Sequence, residues 1–208
     1  MTDFLPHLPL ITAAFLLAGL VKGVIGLGLP TVAMGLLGTV MTPAQAAALL
    51  LAPSLATNLW QLLAGPGFSA LLLRLRGMML GVCFGTWAGS GLIAGGAGPH
   101  ATAALGAALA LYAAVGLAKL RLRVPAGAGR WAGPAVGVAT GLVTGATGVF
   151  VIPAVPYLGA LGLGRDDLVQ ALGLSFTVSA LALAASLAWH DALPMQAAGA
   201  SLLASCRR

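Results

Sequence analysis

The chain has 208 residues, 60% of them hydrophobic and only 7% charged, with a formal net charge of +6 and a mean hydropathy of +1.03. A soluble domain carries about 25% charged residues, so a freely soluble globular fold is excluded. The basic balance does not point to nucleic acid, because the few charges stand between long uncharged stretches and form no patch.

Charge-free stretches cover residues 23–73, 77–118, 131–164 and 168–190, that is 51, 42, 34 and 23 positions. About 20 apolar residues cross a bilayer, so each stretch can hold at least one span. The chain therefore reads as an all-α, polytopic helical membrane protein with seven or eight apolar segments. It forms a single transmembrane domain over residues 1–208, in which 8–118 is a first repeat and 131–205 a second. The opening residues "MTDFLPHLPL" lack a basic region and a small-residue cleavage site, so no removable signal peptide is expected.

The first apolar segment, 8–40, is too long for one simple span and short for two. Near its middle lies "GLVKGVIGLGLP", residues 19–30. Glycine and proline weaken helices, so a broken or re-entrant helix is expected there. Lys22 is the one cation deep in this segment. A lysine at the bilayer centre costs about 2.5–3.5 kcal/mol, which suits either a counter-charge for a bound anion or a side chain that snorkels to the interface. Segment 44–64 follows. Within it "PSLATNLWQ" sets Ser54, Asn58 and Gln61 on one helical face.

Segments 77–97 and 101–118 form an expected hairpin with "GAGPH" at its turn. It is flanked by Arg74 and Arg76 on one side and by Lys119, Arg121, Arg123 and Arg130 on the other, which marks both flanks as cytoplasmic. Gly81, Gly85 and Gly89 recur every four residues, as do Gly133, Gly137, Gly141 and Gly145. In lipid such stripes let helices approach closely, and packing is the expected role of Gly81–Gly89 and of Gly133–Gly141. Cys83 and Cys206 stand apart, with no metal-ligand spacing around them.

The fifth segment, 131–163, carries "GLVTGATGVFVIPAVP". A shift of 122 superposes residues 19–26 on 141–148 with five of eight positions identical, namely Gly19/Gly141, Leu20/Leu142, Val21/Val143, Gly23/Gly145 and Gly26/Gly148. The same shift brings 44–64 onto 168–189, so an internal duplication is expected, as in many transporters. Whether each long unit crosses once or twice decides between parallel and inverted repeats, and the residues leave that open. Segment 168–189 offers Gln170, Ser175, Thr177 and Ser179. After Asp191 only about 14 apolar residues remain, so the second repeat is expected to be short at its C-terminus.

A helix break at membrane depth exposes N–H groups and the positive end of a restarting helix, an anion site that needs no charged side chain. On this reasoning the expected solute-binding residues are Lys22, Gly23, Gly26, Gly28, Asn58, Thr144, Gly145, Thr147, Gly148 and Ser175. The threonines supply hydroxyl donors, and Asn58 and Ser175 face the pore. No metal ligand, cofactor or catalytic residue is expected. The expected partners are a small anionic solute and the lipid bilayer, with a coupling ion and a second copy of the chain as further candidates.

At these two segments the chain resembles the sulfite exporter TauE/SafE family of membrane permeases. That family carries a Gly-rich signature followed by proline in each half. Here the copies read Gly23-Val-Ile-Gly26-Leu-Gly28-Leu-Pro30 and Gly145-Ala-Thr-Gly148 with Pro153 and Pro156. Both are shorter than the family pattern, and Lys22 replaces a small residue. The resemblance implies secondary transport of a sulfur-containing anion such as sulfite or a sulfonate across the bacterial inner membrane, by a protein of about eight spans.

Two other readings compete with this one. A non-transporting membrane subunit, or a truncated and inactive permease, would suit the short C-terminus. An intramembrane enzyme would use "AGSG" around Ser90, similar to rhomboid-type proteases, with His100 or His190 as base. Against it, Ala88 stands where that pattern has glycine, and no paired carboxylates or P-loop occur.

Overall fold

A computed structural model describes residues 7–25, 29–94, 99–117 and 129–190. These residues form eight helices: α1 (Leu8–Ile25), α2 (Leu29–Leu37), α3 (Pro43–Leu63), α4 (Phe68–Ala94), α5 (Pro99–Leu117), α6 (Gly129–Thr147), α7 (Ala154–Ala160) and α8 (Arg165–Trp189). No strand occurs among the described residues. Three helices are long and apolar enough to cross a membrane, within Pro43–Leu63, Phe68–Gly91 and Arg165–Trp189. Large apolar side chains such as Leu20, Val24, Trp60, Leu80 and Trp131 are exposed. In water that would be a liability, and in lipid it is the expected outer face.

Local chemistry sets the helix starts. Thr42 caps α3 in a reciprocal box with Gln45, and Pro43 follows where no N–H is needed. Asp166 and Asp167 occupy the first turn of α8, where carboxylates suit the helix dipole.

Two contacts fix the helix directions. Cβ atoms placed on the α4 glycines meet α6 in rising order: Gly81 meets Pro134 and Gly137, Gly85 meets Gly141 and Leu142, and Gly89 meets Leu142. Helices α4 and α6 therefore run parallel, backbone against backbone, and the two glycine stripes are each other's partners. On α8, near its start, Gln170 Nε2 donates to Leu62 O (2.8 Å) and Gly65 O (2.6 Å), and Gln170 Oε1 accepts from Gly67 N (2.9 Å). The start of α8 thus sits at the end of α3, and the two helices run in opposite directions.

Helix α6 ends at Thr147. Gly148 takes the left-handed conformation (φ 74°), and Val149, Phe150, Val151 and Ile152 continue as buried non-helical chain into the cis peptide before Pro153. The β-branched residues disfavour continuing the helix there. Non-helical backbone at membrane depth needs protein cover, which Phe176 of α8 helps to provide, its ring centroid 5.4 Å from that of Phe150. The segment starts beside Ala47 of α3 and Met34 of α2. It finishes where Arg74 donates to Leu161 O (3.4 Å) and the Tyr157 hydroxyl lies by Gly133. It has returned to the end of the bundle at which α6 began.

Adding 122 to the bounds of α1, α2 and α3 gives 130–147, 151–159 and 165–185, beside the observed 129–147, 154–160 and 165–189 of α6, α7 and α8. The break expected in the first segment, at residues 26–28, lies outside the described residues, as does everything after His190.

Candidate functional site

The inward face of α1 is built from Ala14, Ala18 and Lys22, each one turn after the last and each buried. Two methyl-sized side chains bring α1 close to its neighbours, and the third position then delivers an ammonium. Lys22 Nζ donates to Asn58 Oδ1 on α3. Lys22 is the only charged side chain in the buried set of the described residues. A hydrogen bond to a charged group contributes about 1.5–3 kcal/mol, which offsets much of the cost of holding the lysine in lipid but leaves its charge uncancelled. The acidic residues described, Asp166 and Asp167, are exposed at the start of α8.

Buried polar atoms without a partner gather along the same stretch of the bundle. They include Asn58 Nδ2 and, one turn earlier on α3, Ser54 Oγ. On α8 they include Ser175 Oγ and Ser179 Oγ. The packing register places these at similar depth. A Cβ on Gly173 of α8 would meet Leu62 N and Gln61 of α3. Since the helices oppose, two residues further on Ser175 comes level with residues 59–60, and Ser179 with 55–56. Each buried orphan costs about 1–3 kcal/mol, so a guest that satisfies them binds favourably. Amide N–H and hydroxyl groups at the depth of an ammonium call for a guest rich in acceptor oxygens and negatively charged. This donor set does not suit a metal ion, and no group of potential metal ligands occurs among the described residues.

The remaining expected site residues fall elsewhere. Gly26 and Gly28 lie outside the described residues. Gly23 is exposed on α1, with no atom within 4 Å of a Cβ placed there. Gly145 faces α4, where a Cβ would lie 2.8 Å from Gly89 C and 2.8 Å from Ser90 N. It continues the packing stripe. The hydroxyl protons of Thr144 and Thr147 are spent within α6, on Thr140 O and Val143 O, each at 2.7 Å. Thr147 Oγ1 also accepts from Val149 N (3.2 Å), and Gly148 N donates to Thr144 O (2.8 Å), so these groups tie off the broken helix end. Gly148 stands against Ala47, whereas Lys22 meets Asn58, eleven residues further along α3 (58 − 47), or about 16 Å at 1.5 Å per residue. Lys22 and Asn58 come together, Ser175 lies at their depth, and the Gly148 break lies towards the other end of α3.

The sequence names Ser54 and Ser179 as polar but gives no sign that they would be orphaned. Their i, i+4 spacing to Asn58 and Ser175 was the usable signal. A recess of about 550 Å³ opens beside Arg74, Arg76, Gly133, Pro134 and Tyr157, apart from Lys22 and Asn58. At the far end of α4, Ser90 Oγ lies 3.2 Å from His190 Nε2 and donates to Trp87 O (2.7 Å).

A family model described as "Sulfite exporter TauE/SafE" matches residues 11–206. No curated protein and no solved structure matches the chain.

Proposed function

We propose that this chain, which belongs to the sulfite exporter TauE/SafE family, is a secondary permease that carries a small sulfur oxyanion, sulfite or a sulfonate, past Lys22. The observation that carries the reading is the buried ammonium of Lys22, held by Asn58 with no acidic partner among the described residues. A charge so placed is costly and has an obvious use in a carrier of anions. The protein is read as a multi-pass protein of the bacterial inner membrane. Its two copies are read as inverted repeats: the opposed directions of α3 and α8 support this, and such repeats give a carrier two related states, each open to one side. The α4–α6 glycine contact would then be a rigid seam, and the Lys22–Asn58 region the place where the solute is handed between helices.

The test is flux of sulfite and of methanesulfonate in proteoliposomes of the purified chain. Lys22→Met should lower flux at least tenfold at matched protein content. Unchanged flux would remove Lys22 from the pathway and the proposal with it.

A further inference from the structure

The balance of charge around Lys22 narrows the solute further, on the footing of the permease reading above. Lys22 supplies one positive charge, and no other charged side chain among the described residues is buried. Its surroundings supply donors without charge: both N–H groups of Asn58 Nδ2 are unpartnered, and so is Ser54 Oγ one turn away. Ser175 and Ser179 add unpartnered hydroxyls at the same depth on α8.

We infer that the carried solute is a monoanion with several acceptor oxygens, of the organosulfonate or hydrogen-sulfite type, and that doubly charged oxyanions are rejected. A monoanion against Lys22 leaves the buried region neutral, and its oxygens take up the orphaned N–H and O–H groups. A dianion of the same size fills the same donors but leaves one negative charge uncompensated away from water, which is strongly disfavoured. A neutral solute leaves the ammonium uncompensated instead. Shape alone cannot make this distinction, because tetrahedral oxyanions of one and two charges are nearly isosteric. Selection by charge is therefore the property that a single buried lysine among neutral donors confers.

Methanesulfonate and sulfate are the matched probes, nearly equal in size and differing by one charge. With the purified full chain in proteoliposomes, methanesulfonate flux should exceed sulfate flux at least tenfold. Methanesulfonate should also raise the melting temperature in detergent, and sulfate should not. Asn58→Asp sets a carboxylate beside Lys22 and should weaken methanesulfonate stabilisation at least tenfold in the concentration required. Ser54→Asp, one turn away on the same helix, carries the same expectation if Asn58→Asp does not fold. Sulfate moved as fast as methanesulfonate, or an Asp variant that binds methanesulfonate as the parent does, overturns the monoanion inference and leaves the anion permease standing. Neither solute moved nor stabilising overturns both.

Discussion

Gly85 of α4 and Gly141 of α6 touch through their backbones: a Cβ on Gly85 would lie 3.0 Å from Gly141 Cα, and one on Gly141 would lie 2.8 Å from Gly85 Cα. The nearest atoms on both sides are main chain, which cannot swing aside. Gly85→Ala or Gly141→Ala should therefore force α4 and α6 apart. Overpacking of this kind costs about 1–3 kcal/mol, and more where backbone must move. Gly19→Ala and Gly106→Ala meet nothing within 4 Å. They should be neutral or stabilising by up to about 1 kcal/mol, since alanine is the better helix former. Melting temperatures of the four variants in one detergent check the contrast.

Lys22 and Asn58 should behave as a coupled unit. Asn58→Leu removes the acceptor and strands the ammonium, whereas Lys22→Met removes the charge and leaves only a neutral amide to satisfy. The first should therefore destabilise more than the second. The double variant should be less damaged than the two single effects added together, by at least about 0.5 kcal/mol. Additive melting shifts across the four proteins would show that the two side chains do not act on one another.

Gln170 is a clamp whose role is structural. Its amide makes three hydrogen bonds to the end of α3 and the turn that follows it, at Leu62 O, Gly65 O and Gly67 N. Gln170→Leu orphans all three backbone groups at once. At about 1–3 kcal/mol for each unsatisfied group that stays buried, the loss should exceed 2 kcal/mol, with water recovering part of it. Gln170→Glu keeps the acceptor for Gly67 N but places a carboxylate against two carbonyls, so it should not rescue. Urea or thermal unfolding of both variants is the check.

The sequence shows the helical membrane class, the long charge deserts and the second break, because these rest on local composition and on glycine and proline. It also shows the packing role of Gly81–Gly89 and Gly133–Gly141, since four-residue spacing is a local signal. What it cannot show is which stripe meets which, and so the stripe was expected to end at Gly141. Gly145, expected in the site by its match to Gly23, is one turn further along the same seam. Thr144 and Thr147 were expected to offer donors outward, yet a threonine in a helix can always reach the carbonyl four residues back, and both do. The pairing of Lys22 with Asn58 spans 36 residues and depends on how α1 lies on α3. Periodicity places each residue on an inward face but says nothing of their meeting.

Gly148 carries the break after α6 in two separable ways. Its φ of 74° lies in the left-handed region, where an L side chain costs about 1–2 kcal/mol. A Cβ there would also approach Met34 Cε at 2.9 Å and Ala47 Cβ at 3.2 Å. The methionine tip can swing away, but the alanine and the backbone cannot. Gly148→Ala should therefore lower stability by about 1–3 kcal/mol. Shortening Met34 to alanine in the same protein should recover none of the conformational part and adds a cavity of its own, whose cost in large-to-small core changes is about 2–5 kcal/mol. Gly148→Asn tolerates the left-handed region better than alanine but is larger. If conformation dominates, Asn should be the milder change; if crowding at Ala47 dominates, the order reverses. Melting temperatures of Gly148→Ala and Gly148→Asn decide between the two causes, and equality of both with the parent would mean that the chain does not turn at Gly148 at all.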